Sequence, residues 1–349
     1  MAKKSNIRIS SIEIKSYRGI DYFRIIFPIG KMASEPDVNI LGSKNGVGKT
    51  SVLECCAWVL LAATYGEDAF NETEFDFSDI VKSGDTQSII NANISVGDDN
   101  FNTIVKIAKS GHVETSGIIA PFGGTRSKIS YRATDGIVGM YPDPVVGRNF
   151  LFLHSYRKMQ EGRPEFGMLM DDDEAATLRR RVPYRYIDRG QPFSLFKRLI
   201  VRHLMERANL FDKNALKAVG RDREAIEVLN KLLMEYADVR IGKLRPFRNN
   251  TIDVQVEKLD DQEHSFSIDG LSSGQKEVIS TLFLVWYSTY KSPSVVLIDE
   301  PELHLNMQWH RNFVDKLLEL SPGNQYIIAT HAEDIMESVD IGYRHLLFP

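Results

Sequence analysis

The sequence predicts an α/β fold built on a mixed or parallel core sheet, with an antiparallel β-layer and a helical insertion, and three observations predict it. Ser43-Lys-Asn-Gly-Val-Gly-Lys-Thr50 stands between an apolar strand, Asp37-Val-Asn-Ile-Leu41, and an apolar helix, which is the setting of a phosphate-binding loop. Far downstream, Ser294-Val-Val-Leu-Ile-Asp-Glu300 and Gln325-Tyr-Ile-Ile-Ala-Thr-His331 are continuous apolar runs ending in polar groups, the pattern of strands buried on both faces of a parallel sheet. Between them, residues 88–132 alternate apolar and polar positions around the turn signals Gly97-Asp-Asp-Asn100 and Gly123-Gly124, as antiparallel strands do.

Taken in order, two strands at about 8–15 and 22–27 lead to the strand before the loop, and a helix follows from about Lys49 to Ala63. That helix is apolar nearly all round, as a central helix must be. After the alternating stretch, Asn149-Phe-Leu-Phe-Leu-His154 returns to the core sheet. Helical periodicity follows at about 193–210 and 214–237, then strands near 251–257 and 263–268 and an apolar helix starting near Val278. The implied organisation is a core formed by 1–155 and 251–349, interrupted by a helical subdomain at 156–250. No internal repeat or long heptad run is present.

The loop residues carry a definite chemistry. Glycines let the backbone of Asn45, Gly46, Val47, Gly48, Lys49, Thr50 and Ser51 curl so that successive N–H groups face nucleotide phosphates, while the lysine adds charge and the threonine hydroxyl suits Mg²⁺. The strict pattern has glycine where Ser43 stands, with Gly42 one residue early. Asp299 and Glu300 end a Walker B-like strand, placing one carboxylate to hold Mg²⁺ through water and the next to polarise an attacking water.

Leu271-Ser-Ser-Gly-Gln275 resembles the Leu-Ser-Gly-Gly-Gln signature of ABC-type ATPases, with Ser272, Gly274 and Gln275 kept and Ser273 in place of the first glycine. The resemblance implies an ABC-ATPase head fold, ATP and Mg²⁺ as ligands, and a head-to-tail homodimer, or a higher oligomer built from it, in which each signature binds the ATP of the other subunit. It makes His331 the family's switch histidine. Ile9-Ser-Ser-Ile-Glu-Ile-Lys-Ser-Tyr-Arg-Gly-Ile20 is similar to the opening strand of RecF-, SMC- and OLD-type ATPases, which implies that Arg18 lies near the nucleotide. Asp299-Glu-Pro-Glu-Leu-His-Leu305 resembles OLD-like ATPases, including those of Septu, retron and related anti-phage systems. The resemblance covers about 6–64 and 266–348. Gln160 stands where such a protein has its Mg²⁺-sensing Q-loop, and Arg157, in Tyr156-Arg157, competes for that role. OLD nucleases carry a TOPRIM domain after the ATPase; the chain lacks one, so a separate effector, a nuclease, is expected to act with it.

Composition fits this class. The chain has 349 residues, 43% hydrophobic and 26% charged, with a net charge of −4, so any contact with nucleic acid must be local. No stretch reads as a membrane span or a signal peptide, which points to the cytoplasm. Cys55 and Cys56 are adjacent on the helix after the loop and read as small buried apolar residues. From Arg179 to Arg207 there are nine Lys or Arg, interleaved with Tyr184, Tyr186, Phe193 and Phe196. This segment reads as an output surface for nucleic acid or for a partner protein, or as a solvated helix face. Two other classes stay open: a RecF-like DNA-repair ATPase and a transporter nucleotide-binding subunit.

Overall fold

The computed structural model describes residues 7–28, 37–43, 46, 48–71, 76–119, 145–146, 150–155, 157, 161–163, 195–207, 223–260, 264–290, 293–303 and 305–347. The chain divides into two compact units, residues 1–157 with 288–349, and residues 158–287.

The first unit holds two sheets. One is antiparallel, with β1 (Ile7–Tyr17), β2 (Ile20–Ile26), β4 (Gln87–Val96), β5 (Asp99–Ala108) and β6 (Val113–Ser116) in the order β2-β1-β4-β5-β6. The other contains β3 (Asp37–Gly42), β7 (Val145–Val146), β8 (Phe150–Leu153), β12 (Val295–Asp299), β13 (Gln325–Thr330) and β14 (Arg344–Leu346), in the order β14-β3-β13-β12-β8-β7. All its pairings are parallel except the β7–β8 edge. Its central strands β3, β12, β13 and β8 are buried along their whole length, which is why they read as unbroken apolar runs rather than as alternation.

Helix α1 (Lys49–Tyr65), followed by the single turn α2 (Asp68–Asn71), packs against strands of both sheets. It buries 14 of its 17 residues, which explains the absence of a polar face in its sequence. Cys55 and Cys56 are among them and fully buried; burial pushes both thiols up, out of the reactive range. Where the sheets meet, β1 has a bulge between Ile9 and Ser11. There the side-chain amide of Gln325, at the start of β13, stands in for a strand: its Oε1 accepts from Ile9 N–H at 2.7 Å and its Nε2 donates to Ile9 O at 2.8 Å. Arg8 reaches across the same junction to Gly323 O at 2.6 Å and forms an ion pair with the buried Asp37.

The second unit contains α3 (Leu195–Arg207), α4 (Arg223–Ala237) and an antiparallel sheet of β9 (Val239–Pro246), β10 (Ile252–Lys258) and β11 (Ser265–Ser267) in the order β11-β10-β9. A 3-10 turn, Ile268–Gly270, leads into α5 (Ser273–Thr289), whose end passes into the first unit. Helix α4 buries Ala225, Ile226, Leu229, Leu232 and Leu233, the spacing of one apolar helical face. The first unit also holds α6 (Met307–Leu320) and α7 (Glu333–Glu337).

Three expectations need amendment. Helix α5 starts at Ser273, not near Val278, because Ser272 and Gln275 form a reciprocal cap: Gln275 N–H donates to Ser272 Oγ at 3.3 Å and Ser272 N–H to Gln275 Oε1 at 3.0 Å. Strand β9 falls between the helix expected to end at 237 and the strand expected near 251, where the sequence analysis placed no element. Its alternation is broken by a bulge at Gly242-Lys243, which together face Gln255 of β10. The sequence reading gave residues 251–287 to the ATPase core, whereas in the structure they group with 158–250, because β10 completes a sheet with β9 and α5 packs its aromatic side chains on α3 through Phe283 and Phe196, ring centroids 5.6 Å apart.

The Asp37 carboxyl at this junction carries a pH dependence. Burial raises the Asp37 carboxyl to about 6 against the pull of Arg8. A group whose folded pKa lies above its unfolded value contributes stability that is lost as pH rises through the folded value. Between pH 4 and 6 the wild-type stability should therefore fall relative to that of Asp37→Asn by on the order of 2–3 kcal/mol, with the melting temperature falling in step. Thermal melts across that range check this, and parallel profiles for the two proteins would contradict it.

Candidate nucleotide-binding site

The site is assembled by register. In the core sheet Gly42 lies beside Thr330 and Asp299 beside Ala329, so the phosphate loop after β3, the carboxylates after β12 and His331 after β13 leave the sheet at the same carboxyl edge. Ligands bind at such edges in α/β folds. In the loop, Gly46 and Gly48 have left-handed backbones, φ 83° and 91°. A Cβ on Gly48 would also come within 3.1 Å of Ile20 at the start of β2. Gly42 is needed for another reason: a Cβ there would sit 1.9 Å from Met336 Sδ of α7. The early glycine therefore serves packing, while Ser43 occupies the loop position and contacts Lys49, whose Nζ lies 3.0 Å from Ser43 Oγ and 3.2 Å from Ser43 O.

Thr50, in the first turn of α1, donates its hydroxyl to Asp299 at 3.1 and 3.0 Å from the two carboxylate oxygens. Burial pushes the Asp299 carboxyl up, against the Thr50 hydrogen bond. Thr50 and Asp299 are the hard oxygen donors that Mg²⁺ takes, and Mg²⁺ fills its remaining positions with water and substrate phosphate rather than a protein cage. The donor set fits the ion.

Glu300 is held in a left-handed backbone, φ 46°, immediately before Pro301. Its N–H donates to Ala329 O at 2.7 Å, and Arg157, 7% exposed, clamps the carbonyls on either side of it: Nη1 donates to Asp299 O at 2.5 Å and Nη2 to Glu300 O at 3.1 Å. The Glu300 carboxylate then lies 3.3 Å from His331 Nε2. Lys49 Nζ stands 3.0 Å from the same nitrogen. Burial lowers the Lys49 ammonium, opposed by Glu300, Asp299 and Glu302, so the cation sits among three carboxylates. His331 is itself fixed by Glu302, which accepts from His331 N–H at 2.6 Å and from the Thr330 hydroxyl at 2.7 Å.

Lys49, Thr50, Asp299, Glu300 and His331 thus come together, with Gly46 and Gly48 shaping the loop. Ser51 follows on α1, half-exposed. Arg18 binds Glu54 of α1. Asn45, Val47 and Gln160 lie outside the described residues. The signature belongs to the second unit, where Ser272 and Ser273 are exposed at the start of α5 and the Gln275 side chain also donates to Tyr236 O at 3.1 Å. Of the basic segment 179–207, residues 179–194 lie outside the described residues. Within the rest, Lys197 and Arg202 are 2% and 7% exposed, and Lys197 forms an ion pair with Asp269 and donates to Gly162 O at 2.9 Å. These two cations are internal supports, which corrects the reading of the whole run as an output surface. The sequence analysis missed Glu302, although Asp299-Glu-Pro-Glu302 displays it, and it weighed Arg157 for a Q-loop role while the structure shows a backbone clamp.

Residues 162–337 match the family described as "AAA domain, putative AbiEii toxin, Type IV TA system". The chain is 26% identical over 153 residues to the Retron Vc95 probable ATPase of Vibrio cholerae serotype O1 biovar El Tor, a match spanning 40% of this chain and 28% of that protein. It is 20% identical, in an alignment of 394 residues, to the Retron Ec83 probable ATPase of Escherichia coli, spanning 96% of this chain and 70% of that protein. Among solved structures it is similar to the Smc head domain with an extended coiled coil, bound to the C-terminal domain of ScpA, derived from Pyrococcus furiosus, with a TM-score of 0.56, 14% identity, and 96% and 92% of the two chains covered. The fold is that of an ABC-type ATPase head, a mixed parallel and antiparallel α/β architecture.

The geometry around Glu302 has a direct consequence. Removing its carboxylate in Glu302→Ala deletes two charge-assisted hydrogen bonds, each worth roughly 1.5–3 kcal/mol, so amide exchange at His331 should accelerate at least about tenfold. Hydrogen-exchange mass spectrometry of the 328–334 segment reads this, and unchanged protection there would show that the turn is held by something else.

Proposed function

Because the chain belongs to this AAA-domain family, we propose that it is a Mg²⁺-dependent ATPase of the ABC type and OLD-like branch, working as a nucleotide-driven dimerisation switch. The observation that carries the proposal is the meeting of Lys49, Thr50, Asp299, Glu300 and His331 at one edge of the core sheet. In this reading Lys49 and the loop N–H groups neutralise the β- and γ-phosphates, and Thr50 and Asp299 hold Mg²⁺, which when bound shields charge on the phosphate oxygens. Glu300 orients a water and draws off its proton as the water oxygen bonds to the γ-phosphorus and the bond to the β-γ bridging oxygen breaks. His331 touches both Lys49 and Glu300, a position from which it reports the γ-phosphate to the strand behind it.

The signature supports the dimeric part of the reading. Helix α5 opens with two exposed serines and no acidic residue in its first turn, so its N-terminus suits an anion, here the γ-phosphate held by a second copy. The similarity to two retron probable ATPases supports work within a retron-type system; on this reading the role is anti-phage defence in the cytoplasm, with a separate effector, a nuclease, as the controlled partner. Contact with that partner or with nucleic acid through 179–207 belongs to the same proposal, with Lys197 and Arg202 excluded from the surface.

Lys49→Ala should weaken Mg²⁺-ATP binding by at least about tenfold, whereas Glu300→Gln should bind ATP normally, lose about a hundredfold or more in turnover, and accumulate as a dimer. Equal ATP affinity of wild type and Lys49→Ala in calorimetry would overturn the site. Ser272→Arg should leave ATP binding intact and abolish ATP-driven dimerisation by mass photometry; dimerisation that ignores both ATP and this change would remove the switch.

A further inference from the structure

The turn between β1 and β2 is strained and firmly held. Ser16 and Arg18 both have left-handed backbones, φ 55° and 50°, a region that non-glycine residues enter only when their surroundings impose it. The surroundings here are a neighbouring segment: Arg18 N–H donates to Ile80 O at 2.7 Å, Lys82 N–H donates to Ser16 O at 3.0 Å, and Tyr17 pairs with Val81 as an isolated antiparallel bridge. The turn lies against the phosphate loop, since Ile20 is the side chain that a Cβ on Gly48 would meet.

The Arg18 side chain is fixed as well. Its Nη1 donates to Glu54 Oε1 at 3.0 Å and lies 3.0 Å from Oε2. Glu54 is 3% exposed on α1, and its position is set by the Tyr17 hydroxyl, which donates to Oε2 at 3.1 Å and itself accepts from Trp58 Nε1 at 3.1 Å. The Arg18 side chain keeps 38% of its exposure. The ion pair therefore joins a carboxylate locked in the core to a guanidinium that still faces solvent. Stability alone does not account for this, because an apolar residue at position 54 would avoid desolvating a charge. Fixing both the backbone and one nitrogen of a solvent-facing cation next to a phosphate loop is the arrangement that prepares a site for an anion.

We propose that Glu54 is a positioning residue: with Tyr17 and Trp58 it holds Arg18 by Nη1 beside the phosphate loop, so that Nε and Nη2 meet a phosphate of the bound nucleotide. This rests on the nucleotide-site reading above. Binding of Mg²⁺-ATP is measured by calorimetry, and turnover in parallel, for wild type, Arg18→Ala, Glu54→Gln, Tyr17→Phe and the two doubles that combine Arg18→Ala with each of the others. Arg18→Ala should weaken binding about tenfold, Glu54→Gln about three- to tenfold, and Tyr17→Phe about twofold, with KM changing more than kcat. In the Arg18→Ala background neither Glu54→Gln nor Tyr17→Phe should weaken binding further, because each acts only through Arg18. Multiplying effects, or a folded Glu54→Gln that melts lower but binds ATP as wild type does, would overturn the role of Glu54. Should Glu54→Gln not fold, the Tyr17→Phe pair decides by the same criterion. Wild-type binding that does not depend on Lys49 would sink the nucleotide site itself, whereas Lys49-dependent binding unchanged in Arg18→Ala would sink this inference alone.

Discussion

The site depends on one constraint, the register in which β3, β13 and β12 lie side by side. Pairing Gly42 with Thr330 and Asp299 with Ala329 brings three chain segments, remote in sequence, to a common edge at hydrogen-bonding distance. In strands buried on both faces a slip of one residue would drive a charged or polar end group into the core, so the apolar runs themselves enforce the alignment. The Gln325 amide adds a second lock. By standing in for a strand at the β1 bulge it ties the start of β13 to the antiparallel sheet, and α1, packed on strands of both sheets, is thereby held with its N-terminus at the same edge.

Within that frame the carboxylates are placed against their own preferences. Asp299 is fully buried, and Glu300 has a backbone that costs roughly 1–3 kcal/mol at a non-glycine residue. Arg157 offsets this with charge-assisted hydrogen bonds to the carbonyls of both, each worth roughly 1.5–3 kcal/mol, and Ala329 O takes the Glu300 N–H. The magnitudes are comparable, so the clamp offsets the cost of the left-handed turn. The side chain consequently leaves the sheet toward His331 rather than along the strand direction.

Much of this was legible in the sequence because the signals were local. The runs at 294–300 and 325–331 and the apolar helix after Thr50 each announce themselves within a few residues, and the structure has a strand or helix at each. What escaped depends on partners elsewhere in the chain. The displaced Gly42 is explained by Met336, and the clamp of Arg157 by carbonyls that carry no sequence signature. The start of α5 was missed because a Ser-to-Gln cap was read only as part of a binding motif. The basic run around Lys197 misled for a related reason: a charge run has the same composition whether it faces water or a carboxylate, and Asp269 lies far along the chain.

The same Asp269 shows how the second unit prepares its own part of the chemistry. Its carboxylate pairs with Lys197 and accepts from Gly162 N–H at 3.0 Å, while its backbone carbonyl accepts from Lys276 Nζ at 3.0 Å, and Lys276 reaches Glu161 at 2.7 Å. The turn that leads into the signature is thus tied to the 161–163 segment and to α3 by ionic contacts, two of whose lysines are nearly buried. Burial lowers the Lys197 ammonium while Asp269 opposes it, so breaking that pair would strand a charge in the interior, a loss of several kcal/mol rather than the fraction typical of a surface pair. The signature is therefore mounted on a support that resists small displacements, as the phosphate loop is mounted on α1 and β3.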